Sequence, residues 1–285
     1  ATLHFVWETA CEQTWRERHN AALVLNKLHN VTILEDKSNL AFLQLRIQDH
    51  YKNVLPTYVA NGVNELLSWS ENHWSTKKDE TSDAAVKSHD DDWWVVKASK
   101  GNGGKDIWVI SSDNFRTVIE NDLMTPKGTT SHEVPMKTEE YVIQKYVPRP
   151  MLYKGKKFNF RCYSLLRADM SALFYHMAYI LTAGYNYNKS TDASSFSPGD
   201  NESDMDIRKL ITNLSVNKHI EGYPGQVPCN IATVYPQIYH QLCLLWKGVA
   251  RAVTPFMSKQ ISKNNFEFFG IDVIADIDGN CWLLE

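Results

Sequence analysis

Net charge is nearly absent from this chain: 30 lysines and arginines stand against 33 aspartates and glutamates, a formal net charge of −3. No global basic character therefore points to nucleic acid or a membrane surface as a partner. A continuous apolar run of roughly 18 residues, the length that crosses a bilayer, is missing. The opening segment from Ala1 to Glu8 turns polar too soon for a signal peptide. No two of the five cysteines (Cys11, Cys162, Cys229, Cys243, Cys281) have C-x-x-C spacing. Odd in number and scattered, they predict free thiols in a reducing, intracellular compartment. There is no internal repeat. The chain lacks an initial methionine and stops on a strand residue with no polar tail, which raises the expectation of a shortened chain.

What is present is an ordinary globular composition, 43% hydrophobic and 22% charged over 285 residues, enough for two or three subdomains. The most informative stretch is the last, Phe266 to Glu285. Two apolar, β-prone runs flank Asp278-Gly279, a dipeptide suited to the positive φ angles of a tight hairpin turn. Asp272 lies in the first run and Glu285 ends the second. Pairing of the two strands would bring these carboxylates together among apolar neighbours, where they repel unless a cation intervenes. A hard divalent ion with oxygen ligands fits, Mg²⁺ above all beside nucleotide phosphates. The other reading is a solvated hairpin end with two ordinary acids. A strand-end acid would contribute little to packing, so Asp272→Ala is expected to leave the fold intact.

Upstream, helical spacing over residues 12 to 28 (Trp15, Leu23, Leu25, Leu28) predicts a helix, and Asn30 to Glu35 reads as extended. Ser38 can cap a helix that places Leu40, Leu43 and Ile47 on one face. Val54 to Val59 is extended because Pro56 blocks a helix there. A helix follows from Gly62 to Trp69. Residues 70 to 92 are polar and close on Asp90-Asp91-Asp92, read as a solvated linker rather than a metal site.

Trp93 to Ala98 is a strand carrying Lys97 into Ser99-Lys-Gly-Asn-Gly-Gly-Lys-Asp, with Ile107 to Ile110 returning. Gly101, Gly103 and Gly104 sit at a hairpin tip, where backbone N–H groups can approach phosphate oxygens; a plain flexible hairpin is the alternative. Ser112 or Asp113 caps a helix to Asn121. Glu140 to Val147 is a strand. From Lys157 the sequence alternates in period two, with Lys157, Asn159 and Arg161 on one face and Phe158, Phe160 and Cys162 on the other. Three aligned polar side chains point to a polar ligand or, alternatively, to a solvated sheet face. Residues 171 to 181 form another strand, and 186 to 206 a polar loop. A long helix from Val234 to about Lys259 buries Ile238, Leu242, Leu245, Val249 and Val253, with His240 and Cys243 structural.

In this order, a strand lysine, a glycine hairpin, Gln144-Lys145-Tyr146, Lys157-Phe-x-x-Arg161, Thr212-Asn213, Phe269-Gly-x-Asp272 and Leu283-Leu-Glu285 resemble the ATP-grasp fold of the tubulin–tyrosine ligase-like family. Leu34 to Leu40 and Leu55 to Val59 resemble it too, so the likeness runs from about Asn26 to Glu285. It implies an α/β (α+β) fold with three parts: an N-terminal α/β lobe at 1–92, a central lobe at 93–147, and a C-terminal lobe of antiparallel sheet and helices at 148–285. By resemblance, Lys97 reaches the nucleotide phosphates under the glycine hairpin (Gly103). Gln144, Lys145 and Tyr146 form a hinge whose backbone reads adenine. Lys157 lies beside the base, Asn159 faces the ribose, and Thr212 and Asn213 line the phosphates. Arg161 contacts the terminal phosphate or the acceptor carboxylate, Asp272 and Glu285 hold Mg²⁺, and Lys37 lies near the nucleotide.

The resemblance further implies an ATP-dependent ligase that activates a protein carboxylate as an acyl phosphate and joins a free amino acid to it. Tubulin tails are the acceptor, in a cytoplasmic protein associated with cytoskeleton or cilium. Arg149, Lys154 and Lys156 are candidates for a basic rim. Four departures stand out. Asn159 replaces a family Asp, Leu181 stands where an Arg is expected, Leu210 replaces a His, and the Asn two residues after the metal Glu lies beyond the last residue. They keep a second expectation open, a nucleotide-binding but inactive relative that serves as a binding module.

Overall fold

A computed structural model describes residues 4–6, 23–79, 92–100, 106–124, 140–187, 207–257 and 263–285. The elements are mixed helix and largely antiparallel sheet, as expected for the α+β class. They divide into two compact units. The first comprises Ala1–Val54, Asn159–Ile180 and Val227–Glu285, the second Leu55–Phe158 and Leu181–Gln226. Each unit is assembled from segments distant in sequence.

In the first unit, strands β1 (His4–Val6) and β2 (Leu23–Leu25) pair in parallel, so the helix expected over 12 to 28 does not extend through 23–25. A short run of consecutive apolar residues does not separate strand from helix; residues 7–22 lie outside the described set. A second correction concerns Asn30 to Glu35. Asn30 takes a positive φ of 60°, the chain turns there, and Thr32–Glu35 forms a helical turn (α1). The β-branched residues read as strand formers, but a tertiary turn overrode that weak preference. Helix α2 (Lys37–Gln48) follows, with Leu40, Leu43 and Ile47 buried as expected. Its cap is Asp36, whose side chain accepts from the Ser38 N–H at 2.8 Å, rather than Ser38 itself.

Strands β3 (Thr57–Asn61), β4 (Trp94–Ala98), β5 (Ile107–Ile110) and β6 (Glu140–Lys145) make a four-stranded sheet in the second unit, ordered β3-β6-β4-β5. Helix α3 (Val63–Asp79) is longer than expected. It buries Leu66 and Trp74 with Trp94, Val96, Ile110, Phe115 and Ile143. Helix α4 (Phe115–Val118) runs into a π-helical turn at Ile119–Leu123. Its N-cap residue is Asn114, whose side chain accepts from Ser111 N–H at 2.7 Å instead of capping the helix.

The expectation of a solvated acidic run fails at Asp92. Its carboxylate accepts from Trp74 Nε1 (3.0 Å), Trp94 Nε1 (3.1 Å) and Lys145 Nζ (2.5 Å), and His73 lies at 3.0 Å. One carboxylate thus ties α3 to β4 and β6. Asp92→Ala leaves two indole N–H groups and an ammonium without that acceptor. It is expected to lower unfolding free energy by about 2–3 kcal/mol, read by denaturant titration.

The larger sheet is ordered β10-β9-β8-β11-β12, with β7 (Leu152–Tyr153) on β8. Its strands are β8 (Lys156–Arg167), β9 (Ala172–Thr182), β10 (Gln226–Asn230), β11 (Phe266–Ala275) and β12 (Cys281–Leu283). Within the first unit, helix α7 (Pro236–Met257) buries all five residues named for it from sequence. The short helices α5 (Leu214–Asn217) and α6 (Ile231–Val234) precede it. Trp246 meets Phe269 at 5.4 Å between ring centroids, and Cys281 lies under the Ile238 carbonyl. The odd-numbered β11 residues thus face α7, and Phe268, Gly270 and Asp272 point away. The four described cysteines are free. Among the described residues no helix is long and apolar enough to cross a membrane.

Glu267, unremarked in the sequence, is buried on β11 and accepts from the Leu28 N–H at 3.1 Å, with Lys27 at 3.9 Å. Burial pushes its carboxyl pKa up from 4.5 to about 7. The folded state then binds more protons than the unfolded state between pH 4.5 and about 7, so this group's contribution to stability falls as pH rises through that window. Relative to Glu267→Gln, wild-type stability is expected to drop by roughly 2 kcal/mol between pH 4.5 and 7.5, measured by denaturant titration at each pH.

Candidate functional site

The residues singled out from sequence fall into two groups, one in each unit. In the first unit the two terminal strands pair as a hairpin, as expected. Its tip spans residues 276–280. Gly279 supplies the positive φ of 78°, while Asp276 organises the turn by accepting from the Asp278 and Asn280 N–H groups at 3.0 and 2.8 Å. The loop is longer than the tight two-residue turn read from Asp278-Gly279.

Regular pairing sets Val273 opposite Leu283, which would put Leu284 opposite Asp272. Instead the Asp272 carbonyl accepts from both Leu284 N (2.9 Å) and Glu285 N (3.4 Å), and Asp272 N donates to Glu285 O at 2.8 Å. Two residues facing one is a β-bulge, which re-aims the side chain that follows it. Glu285 is thereby paired with Asp272 itself.

Strand β8 supplies the facing residues, because Asp272 is in register with Arg161. The pairing is bidentate: Arg161 Nε donates to Asp272 Oδ1 at 2.6 Å and Arg161 Nη2 to Oδ2 at 2.7 Å. Asn159 Nδ2 donates to the same Oδ1 at 3.1 Å. The hydrogen bonds with Asp272, together with its charge and that of Glu285, raise the guanidinium pKa further. Lys37 Nζ lies 3.9 Å from Glu285 Oε2. Arg161 was expected to face phosphate or acceptor, and here it holds the expected metal ligand. Asp272 is only 8% exposed, so it is not the weakly packed strand-end acid read from sequence.

This donor set fits a hard divalent cation. Two acidic residues, Asp272 and Glu285, pair through their backbones, and the Asn159 Oδ1, in a residue 3% exposed, has no hydrogen-bond partner among the described residues. A buried amide oxygen left unsatisfied carries a free-energy penalty that an oxygen-seeking ion removes. Among the described residues no group of three or more His, Cys, Asp or Glu could hold a metal; the oxygen donors here are two carboxylates and one amide, a number that suits an ion completed by phosphate and water.

In the second unit Lys97 and Gln144, on adjacent strands, meet through an Nζ to Oε1 bond of 3.1 Å. Lys157 Nζ donates to the Leu210 carbonyl at 2.8 Å and lies 3.9 Å over the Tyr146 ring. Burial, with Lys97 as a nearby like charge, pushes the Lys157 pKa down from 10.5 to about 7. Burial likewise raises that of Tyr146. Leu210, in place of the expected His, packs with Val109 and Tyr146 while its backbone holds the lysine. Leu181 is buried as well.

Lys145 turns to the opposite face of β6, to Asp92 and the Trp94 ring. The N–H groups of Lys145 and Tyr146 already donate to Pro56 and Trp93 carbonyls at 2.9 and 3.0 Å. A base contacted here would meet other groups than these two N–H. Thr212 and Asn213 stand at the start of α5, in a turn pinned by the fully buried Asn217, whose Nδ2 donates to Ile211 O and Asn213 O. Sequence reasoning missed Asn217, although its spacing from Asn213 on a short helix was a usable signal. The glycine tip, including Gly103, lies outside the described residues.

Comparison with known proteins gives this geometry a context. A model of the tubulin-tyrosine ligase family matches residues 17–285. The chain is 24% identical to a tubulin monoglycylase TTLL3 of Danio rerio over 216 residues, 67% of this chain and 25% of that protein. It is 25% identical to a probable tubulin–tyrosine ligase of Schizosaccharomyces pombe over 218 residues, 68% of this chain and 50% of the other. A probable tubulin polyglutamylase TTLL9 of Bos taurus matches at 25% over 207 residues, 67% of this chain and 42% of that protein. The matched stretch is thus a quarter to a half of the length of these relatives. With the family matched from residue 17 to the last residue, the chain belongs to the tubulin-tyrosine ligase family.

Proposed function

We propose that the protein is an ATP-dependent ligase that joins a free amino acid to a protein carboxylate, with a tubulin tail as the acceptor. The observation that carries this is the convergence of Asp272, Glu285, Asn159 and Arg161 at one end of the β11–β12 hairpin. Relatives named for tubulin glycylation, glutamylation and tyrosination support the acceptor. A carboxylate is a poor electrophile toward an amine, so the acceptor oxygen first attacks the γ-phosphorus of ATP and ADP leaves. The amine then attacks the acyl carbon and loses a proton, and phosphate departs carrying one former carboxylate oxygen.

The chain's residues serve this by charge and position. Asp272 and Glu285, with the Asn159 amide oxygen, would hold Mg²⁺, which neutralises phosphate charge when bound. Arg161 binds the terminal phosphate or the acceptor carboxylate. Lys97 binds phosphate oxygens, and Gln144 orients it. Lys157 and Tyr146 receive the base, with Thr212 and Asn213 on the phosphate side. The setting is the cytoplasm and its microtubules.

Intact-mass spectrometry of tubulin incubated with the protein, ATP and a mixture of amino acids tests the proposal. The expected result is an ATP-dependent mass gain equal to one or more amino-acid residues. Nucleotide binding with no mass gain and no ATP turnover on any tubulin acceptor would reject the ligase in favour of a binding module.

A further inference from the structure

Arg161 and Asp272 cannot both be as they are in this structure and serve nucleotide and metal. Both Asp272 oxygens are occupied by the guanidinium, at 2.6 and 2.7 Å, and the carboxylate side chain is only 11% exposed. The Arg161 side chain is 36% exposed, within reach of an incoming anion. Beneath it lies Gly270, where a Cβ would stand 3.5 Å from Arg161 Cδ and 3.9 Å from a terminal nitrogen. A Cβ there would make only ordinary contact with the arginine, which lies across this strand toward Asp272. Beside the pair, the Asn159 Oδ1 is buried and unpartnered among the described residues.

Among the described residues, Arg161 pairs with Asp272 and Lys37 lies near Glu285. A divalent cation added alone would meet a guanidinium already on its ligand and would bring two further positive charges into a half-buried site. A polyanion that draws Arg161 away removes both obstacles.

We propose that the Arg161–Asp272 pair is an exchange lock: the guanidinium holds the carboxylate that a divalent cation needs and releases it to a polyphosphate, so that metal and nucleotide bind with positive coupling. Arg161 is then a positioning residue for the metal as well as a ligand of the anion. The lock rests on the metal and nucleotide roles assigned above. Coupling of this kind is reciprocal: the metal raises polyphosphate affinity by the factor that polyphosphate raises metal affinity.

The test measures Mn²⁺ binding by electron paramagnetic resonance of the free ion, on the whole protein, with and without a non-hydrolysable ATP analogue. Calorimetry is run alongside to correct for metal bound by the analogue in solution. Arg161→Met frees Asp272 and is expected to tighten Mn²⁺ binding in the absence of nucleotide by about tenfold or more, the value of one or two charge-assisted hydrogen bonds. It should also shrink the enhancement given by the analogue. Arg161→Lys keeps the charge but loses the two-pronged fork, and an intermediate gain of a few-fold is expected. It provides a reading if the methionine variant does not fold, with near-ultraviolet circular dichroism reporting on both. Unchanged or weaker metal-only binding in a folded variant, with wild type still binding Mn²⁺ and analogue together, overturns the lock and leaves the proposed function standing. Failure of wild type and variants alike to retain Mn²⁺, with or without analogue, overturns the metal assignment and the lock together.

Discussion

Asp272→Ala is expected to abolish metal-dependent ATP turnover, a loss of at least about a thousandfold given the several kcal/mol a positioned cation contributes to phosphoryl transfer. It is also expected to destabilise the protein. The side chain is buried and accepts three hydrogen bonds, two from Arg161 and one from Asn159. Removing it strands a guanidinium and an amide on the sheet. Because Arg161 is itself about a third exposed, solvent offsets part of this, and a cost of about 1–3 kcal/mol follows. Asp272→Asn separates the two effects, since the amide keeps a similar shape and some of the hydrogen bonding. Turnover should fall nearly as far as in the alanine variant while denaturant midpoints move less. Turnover within tenfold of wild type in Asp272→Asn would remove this carboxylate from the reaction.

Lys97→Met is the second large effect expected. The lysine is 8% exposed and bonded to Gln144, so its charge acts in a water-poor setting where it is worth more than at a surface. Triphosphate affinity should fall by roughly a hundredfold, about 2.7 kcal/mol, whereas adenosine, which carries no phosphate, should bind as before. Removing the like charge should also raise the Lys157 pKa part of the way from about 7, because burial, the larger cause of its depression, remains. Calorimetric titration with ATP and adenosine, and the pH dependence of Lys157 labelling, read the two consequences. Equal losses for ATP and adenosine would place Lys97 at the base instead.

The strands and the long helix were legible because their periodicity is local. Alternation from Lys157 to Cys162 put polar and apolar residues on opposite faces, and the apolar spacing in Pro236–Met257 marked its buried stripe. That the two strands bearing Asp272 and Glu285 pair was legible too, from two apolar runs about a turn. What the sequence does not carry is the non-local register. That Arg161 sits across from Asp272 depends on how β8 pairs with β11, and neither strand encodes this alone. The bulge that brings Glu285 to Asp272 is likewise a property of the pair. Asp92 read as a solvated acid because its partners, Trp74, Trp94 and Lys145, come from three elements that meet only in the folded unit. Asn30 to Glu35 misread as strand for a related reason, since the turn at Asn30 is fixed by tertiary context rather than by the β-branched residues after it.

The transfer of one particular oxygen tests the whole account. If a carboxylate is activated as an acyl phosphate, tubulin or tail peptide labelled with ¹⁸O in its acceptor carboxyl should pass one ¹⁸O to inorganic phosphate for each amino acid joined, with ADP as the other product, and Asp272→Asn should suppress both together. Phosphate free of label, or AMP and pyrophosphate in place of ADP and phosphate, would contradict it.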